Sequence, residues 1–402
     1  MIEGRVKSLD VFAGDRRAGQ ITQAGAYRFT YHLASDSSSE RQVSLLMPVR
    51  ADQYTHGALF PVFQMNLPEG FVRRYITERM MKTAKVNDML FLALSGEHGT
   101  GRLSYRIPDD PTPDRVTPVP LDDILQDDPA NRIFTDLIET YLMRTTAGIG
   151  GFQPKVLVYT GKSTVNTPDL IVKTGAEDYP GLAINEFLCL EIAKTAGMEV
   201  PEFWLSKDGH RLAIQRFDIT DKGRRLGMED FAVLLNRTGD QKYEGSYETV
   251  MKMAAFYDLS ADELYRRIAL SLILGDGDAH LRNFAVVYDH PGSKVRLSPV
   301  YDVVNTRMYN DRTAALKINK SRSYPTRDEL IRFGERFGIS RPKQIIEQIA
   351  QAGMDVLAKT CGNLPQPVES RSIIQAIEQS IAAVSANRSA HRRTAKNRMR
   401  PF

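Results

Sequence analysis

At 402 residues the chain exceeds one ordinary hydrophobic core and predicts two or three packed units. Its composition, 42% hydrophobic and 25% charged, is that of a globular protein and excludes bulk disorder. The net charge of +4, left over from 53 basic and 49 acidic residues, gives no general argument for nucleic-acid binding.

The first 107 residues predict a β-rich N-terminal subdomain. Leu9–Phe12 reads as a strand meeting a turn at Gly14-Asp15, Ala26–Tyr31 alternates at period 2, and Val43–Leu46 reads as a strand ending at Pro48. Asn66-Leu67-Pro68-Glu69-Gly70 then leads into a helix over 71–81. The glycine-rich His98–Leu103 lacks the Lys-Ser/Thr ending of a P-loop and is read as a structural turn. Residues 108–130 form a linker in which Pro108, Pro111, Pro113, Pro118 and Pro120 interleave with aspartates, favouring extended backbone.

A second β-containing lobe is expected over 131–225. A helical pattern from Asp136 runs into Gly148-Ile149-Gly150-Gly151, whose glycines let backbone N–H groups approach an anion. Strands follow at Val156–Tyr159 and Leu170–Lys173, then a helix over 182–196 closed by Gly197 and carrying Asn185-Glu186. A glycine-rich loop, then two strands ending in Lys, is how a kinase lays backbone over phosphates and brings in an ammonium, and Glu186 is placed to pair with Lys173. Strands at Phe203–Leu205 and Leu212–Ile214 exit into Gln215-Arg216-Phe217-Asp218, where backbone can meet an adenine edge.

Residues 226–385 predict a helical C-terminal lobe, with helices over 228–235, 247–257 (Ser246 as N-cap), one marked by Leu264, Ile268 and Leu272, then 328–337, 341–351 and 367–384. Within it, Leu272–Asn283 reads LILGDGDAHLRN, placing Asp278 and Asn283 in a D-x-x-x-x-N pattern, and a hairpin over 284–297 leads to Asp302. Phosphoryl transfer from ATP needs such a set: a carboxylate to take the proton of the attacking hydroxyl, and an amide plus a second carboxylate to hold Mg²⁺ on the triphosphate. The tail 386–402 carries Arg388, Arg392, Arg393, Lys396, Arg398 and Arg400 without an acid; it is read as a solvated end, with an electrostatic contact to nucleic acid or an acidic partner as the alternative. Cys189 and Cys361 have no C-x-x-C spacing, which argues against a disulfide framework or zinc site and fits a reducing cytoplasm. No signal peptide and no apolar run of about 18 residues is found, so no membrane association is expected.

Taken together, these motifs resemble the HipA family of type II toxin-antitoxin serine/threonine kinases over most of the chain. Asn66–Gly70 is similar to part of the family's N-terminal subdomain, Gly151-Phe152-Gln153-Pro154-Lys155 to its G-x-Q-x-K loop, Asn185-Glu186 to its N-E helix and Arg216-Phe217-Asp218 to its R-F-D hinge. Lys242–Tyr247 resembles a further signature, Asp278–Phe284 the D-G-H-x-K-N-F catalytic loop, and Pro299-Val300-Tyr301-Asp302 the metal-binding P-x-Y-D.

The resemblance implies an α+β, bilobed protein-kinase-like fold, Mg²⁺ and ATP as cofactors, growth inhibition, and neutralisation by a cognate DNA-binding, HipB-like antitoxin that contacts operator DNA. Its expected substrate is a protein such as an aminoacyl-tRNA synthetase. Carried onto this chain, Asp278 is the base, Asn283 and Asp302 are metal ligands, and Lys173 contacts the phosphates. Gly150, Gly151, Phe152, Gln153, Lys155 and the 215–217 segment (Gln215, Arg216, Phe217) complete the nucleotide pocket, with His280, Arg282 and Tyr301 beside it. Two departures stand out. Gly148 occupies the register of the family's regulatory serine, so that phosphorylation switch cannot operate there, and Ala279 and Arg282 replace the usual glycine and lysine. The competing readings are a catalytically poor nucleotide-binding corepressor acting through an antitoxin–DNA complex, and a small-molecule or lipid kinase.

Overall fold

The computed structural model describes residues 5–33, 39–82, 84–96, 99–108, 118–128, 130–144, 155–160, 169–175 and 178–385. Gly148, Gly150, Gly151, Phe152 and Gln153, much of the proline-rich linker and the basic tail lie outside them. The chain divides into two compact units. The first comprises Met1–Phe187, Pro201–Glu244 and Leu281–Pro299, the second Leu188–Val200, Gly245–His280 and Val300–Phe402.

The described sheets all lie in the first unit. Strands β1 (Ser8–Ala13), β2 (Arg16–Ala24), β3 (Ala26–Tyr31), β4 (Tyr54–His56) and β5 (Leu103–Arg106) form an antiparallel sheet of order β4-β3-β2-β1-β5. In β1 the buried residues are Leu9, Val11 and Ala13, and in β3 they are Tyr27, Phe29 and Tyr31, the period-2 pattern that turns one face to a core. Phe63, Leu90, Phe91 and Tyr105 fill that core. A second antiparallel sheet runs β6-β7-β9-β8, from Lys155–Val158, Leu170–Thr174, Arg211–Gln215 and Phe203–Leu205. Every residue of β6 is buried, so both faces of this strand are covered. The third sheet is β10 (Gly227–Asp230), β11 (Ala285–Tyr288) and β12 (Arg296–Leu297).

The sequence-based elements need three corrections. Val43–Leu46 is not a strand: Ser44 bridges only to Met47, and the Ser44 hydroxyl and Leu45 amide donate instead to the Glu229 carboxylate at 2.7 and 2.8 Å. The predicted helix over 228–235 is a strand followed by one helical turn, Phe231–Leu234. Pairing with β11 overrides the local apolar pattern, and Asp230 caps the turn by accepting from the Val233 amide at 2.8 Å. The helix expected over 341–351 continues to Thr360. Strand β2, polar at Arg16, Arg17 and Gln20, went unrecognised.

The glycine-rich turn near residue 100 is structural, as its sequence suggests. The Arg225 guanidinium donates to the carbonyls of Gly99, Gly101 and Leu103 at 2.7, 2.7 and 2.9 Å, and the Gly101 amide donates to Asp218 at 2.6 Å. A Cβ on Gly99 would lie 2.4 Å from Asn66 Oδ1, so only glycine fits so close an approach.

The second unit is helical, with Tyr247–Phe256, Ala261–Leu274, Arg327–Arg336, Pro342–Thr360 and Pro367–Ser385 as its main elements. Ser246, Ser260 and Thr326 cap three of them through backbone amides, and Thr326 with Glu329 forms a capping box. Ala261–Leu274 is buried from Arg267 onward and ends at Gly275, whose φ of +76° is the left-handed C-cap that glycine adopts without strain. That turn delivers Asp276–His280. No helix among the described residues is long and apolar enough to cross a membrane.

Candidate active site

The candidate residues fall into a cationic set in the first unit and an acidic set in the second. In the first, β7 pairs with β6 so that Lys173 lies opposite Lys155, and directly opposed residues of an antiparallel pair share a face of the sheet. Both lysines are buried. Glu186, from the helix Leu182–Thr195, meets the Lys173 ammonium at 2.5 Å, with side-chain exposures of 0% and 4%. This is the pairing expected from the sequence. The ion pair orients the Lys173 ammonium.

At the strand exit the Gln215 and Arg216 amides already donate to the carbonyls of Glu202 and Asp169, at 2.8 and 2.9 Å. The Arg216 side chain is fully buried, donating to Asp218 at 2.7 and 3.0 Å and to the Gly99 carbonyl at 3.0 Å. Burial pushes the Asp218 carboxyl up, but Arg216 and the Gly101 amide outweigh it and hold the group below the usual carboxylate range. The guanidinium thus pins the hinge to the N-terminal sheet, while Phe217 beside it is half-buried.

Asn283 sits in the 3₁₀ turn Leu281–Asn283 that leads into β11. Its neighbour Arg282 donates through Nη1 to Glu69, and its Nε lies 3.9 Å from Asp230. Lys242 reaches the other Glu69 oxygen at 3.2 Å. Three motifs that are far apart in the sequence, around Glu69, Lys242 and Arg282, therefore meet in one ion cluster. Nothing in their spacing along the chain announces it.

In the second unit Asp278 is half-buried and Asp276 fully so. The Asp278 amide donates to Asp276 Oδ1 at 2.9 Å, while the second Asp276 oxygen is buried with no hydrogen-bond partner among the described residues. Burial, with Asp278 and Asp302 adding to it, pushes the Asp276 carboxyl well above its ordinary value. The structure thus brings Asp278 and Asp302 into one acidic neighbourhood around Asp276, a third carboxylate that sequence reasoning passed over. Asp302 has φ +57°, a left-handed conformation that Asp tolerates better than most residues and that often marks functional positions. His280 is buried, and its amide donates to the Asp278 carbonyl at 2.7 Å; Tyr301 is half-buried.

Neutral groups hold the loop that carries Asp276 and Asp278 in place. Thr306 accepts from the Gly277 amide at 2.7 Å, Asn305 donates to the Leu274 carbonyl at 2.7 Å, and buried Tyr247 donates to the Ala279 carbonyl at 3.2 Å. The donor chemistry fits Mg²⁺. Among the described residues no group of three or more His, Cys, Asp or Glu side chains is arranged to hold a metal alone, but the carboxylates gathered around Asp276 are hard oxygen donors of the kind this ion takes when phosphate oxygens and water complete its shell. A cation would also relieve the mutual repulsion that Asp276, Asp278 and Asp302 exert.

Residues 9–106 match the HipA N-terminal domain and 147–357 the HipA-like C-terminal domain. Y4dM of Sinorhizobium fredii, described as a candidate kinase, is 29% identical over 70% of this chain and 71% of its own length. The serine/threonine-protein kinase toxin HipA of Shewanella oneidensis is 24% identical over 77% of this chain and 78% of its own. The fold is similar to the solved HipA of that organism, in a complex with HipB and operator DNA, with a TM-score of 0.70, 21% identity, and coverage of 94% of this chain and 96% of that one. The α+β, kinase-like fold expected from the sequence is therefore present. With the HipA-like C-terminal domain alone matching more than half its length, the chain belongs to the HipA family.

Proposed function

We propose that the protein is a Mg²⁺- and ATP-dependent serine/threonine protein kinase that acts as the toxin of a type II toxin-antitoxin pair. The observation that carries this reading is the buried Lys173–Glu186 pair, because phosphotransferases of this kind need a strand lysine held by a helix glutamate to orient the phosphates. Asp278 takes the proton of the acceptor hydroxyl as its oxygen bonds to the γ-phosphorus and the bond to the β,γ-bridging oxygen breaks, releasing ADP. Asn283 and Asp302 hold the metal, which supplies charge neutralisation on the triphosphate when bound. Lys173 and Lys155 orient the phosphates, together with the Gly150–Gln153 loop. His280 and Tyr247 fix the backbone around Asp278 rather than move protons.

The partner we propose is a HipB-like, DNA-binding antitoxin, supported by the likeness of this fold to a HipA that was solved together with HipB and operator DNA. The substrate is a component of translation, such as an aminoacyl-tRNA synthetase, so that phosphorylation slows growth in the cytoplasm. The test is incubation with labelled ATP and Mg²⁺ in a cell lysate. A lysate protein is expected to take up label, and Asp278→Asn to lower the rate by about 10²–10⁴-fold. Equal labelling by the variant, or none by wild type alongside antitoxin-dependent DNA binding, would replace this reading with the corepressor.

A further inference from the structure

Glu69 occupies the N-cap position of the helix Gly70–Met80, where a side chain ordinarily accepts from the first turn. It does not do so, and its carboxylate makes no capping bond. Its two oxygens are used elsewhere, one on Arg282 Nη1 and the other on Lys242 Nζ at 3.2 Å. These partners are largely enclosed, with side-chain exposures of 13% for Arg282 and 11% for Lys242, against 27% for Glu69 itself. Burial pushes the Glu69 carboxyl up, but Arg282 and Lys242, helped by Lys155, more than offset it and keep the group ionised. Asp230 lies on the other side of Arg282, with Oδ2 at 3.9 Å, but its Oδ1 is occupied capping Phe231–Leu234. Glu69 therefore holds Arg282 directly through its carboxylate, and Arg282 is the residue next to Asn283 in a three-residue turn.

We infer that Glu69 is a positioning residue for phosphoryl transfer, acting through Arg282 to hold the Leu281–Asn283 turn so that the Asn283 amide is preset. The inference rests on the kinase reading above and deepens it. It makes the HipA N-terminal domain a contributor to the catalytic loop rather than an appendage. A charge-assisted contact to a planar guanidinium fixes a loop more tightly than a neutral bond, and Arg at 282, with its rigid fork, suits that role better than a flexible ammonium.

The experiment uses the full chain with Glu69→Gln, which removes the charge at constant shape, and Glu69→Asp, which keeps the charge but shortens the reach. Three quantities are measured: kcat and KM for ATP in phosphoryl transfer, the Mg²⁺ concentration for half-maximal rate, and hydrogen exchange of the nucleotide-free protein. Glu69→Gln is expected to lower kcat about 10–100-fold and raise the Mg²⁺ requirement, with KM for ATP nearly unchanged. Faster exchange should be confined to 281–284, with β11 still protected, and Glu69→Asp should fall between Glu69→Gln and wild type. Wild-type kcat and unchanged exchange in Glu69→Gln would overturn the inference while leaving the kinase intact. Loss of protection spread across the N-terminal sheet, with KM and kcat failing together, would also overturn it by showing a merely structural contact. Absence of phosphoryl transfer in wild type would instead remove the kinase reading, and the inference with it.

Discussion

The two sets of candidate residues are held in place by different physics. In the first unit Lys173 is matched to Glu186, Arg282 and Lys242 to Glu69, and Arg216 to Asp218, each cation facing a carboxylate. In the second, Asp276 and the loop bearing Asp278 are fixed by amides and hydroxyls from Thr306, Asn305 and Tyr247. The carboxyl groups respond accordingly: Glu69 and Asp218 are held below their ordinary range by their cations, whereas burial pushes Asp276 up. A permanent cationic partner neutralises an acid's charge, whereas neutral donors order the surrounding loop without doing so.

The sharpest way to break the comparison is to remove one half of a buried pair. Lys173→Met leaves Glu186 enclosed without its cation and is expected to cost about 3–5 kcal/mol of stability by chemical denaturation. The double variant Lys173→Met with Glu186→Leu should recover most of that loss, since an apolar pair of similar volume can replace a buried ion pair, yet remain inactive. If the single variant were as stable as wild type, the first unit would not depend on its ion pairs as argued.

Glu229 sharpens the same comparison from within the first unit, because it is a buried acid with neutral partners. Its carboxylate accepts from the Ser44 and Tyr288 hydroxyls and the Leu45 amide, and burial still pushes it up to about 7. The proton is therefore bound more tightly in the folded chain than in the unfolded one. Stability from this group is complete below the ordinary value of 4.5 and is lost as pH rises to about 7, levelling off above that, a change of about 3 kcal/mol. Glu229→Gln should remove this slope. Thermal melts of both proteins from pH 4.5 to 8 are expected to favour wild type least at the alkaline end, and parallel curves would contradict the assignment.

Much of this organisation could be read from the residues. The apolar run Leu9–Phe12 marked the first strand, Ser246 and Gly197 marked helix ends, and the spacing of Asp278, Asn283 and Asp302 suggested phosphotransfer chemistry. Pairings between distant segments were not legible. Glu69 and Arg282 are 213 positions apart, and no periodicity links them. The same blindness turned Met228–Asp230 into part of a helix, since its strand character comes from β11, nearly sixty residues later in the chain. Asp276 was overlooked because a carboxylate reveals its environment only once its neighbours are in place.

The smallest effect tests the neutral scaffold of the second unit. The Thr306 hydroxyl accepts from the buried Gly277 amide at 2.7 Å, just ahead of Asp278, and a Cβ on Gly277 would come within 2.6 Å of that same oxygen, so the fit is close. Thr306→Val keeps the shape but strands the amide, at a cost of about 1–3 kcal/mol. Thr306→Ser keeps the hydroxyl and should cost less. If neutral bonds rather than ion pairs hold the acids, Thr306→Val should lower kcat while hydrogen exchange around Lys173 and Glu186 stays as in wild type. Loosening that spread equally through both units would show that the two sets of residues do not rest on separate supports.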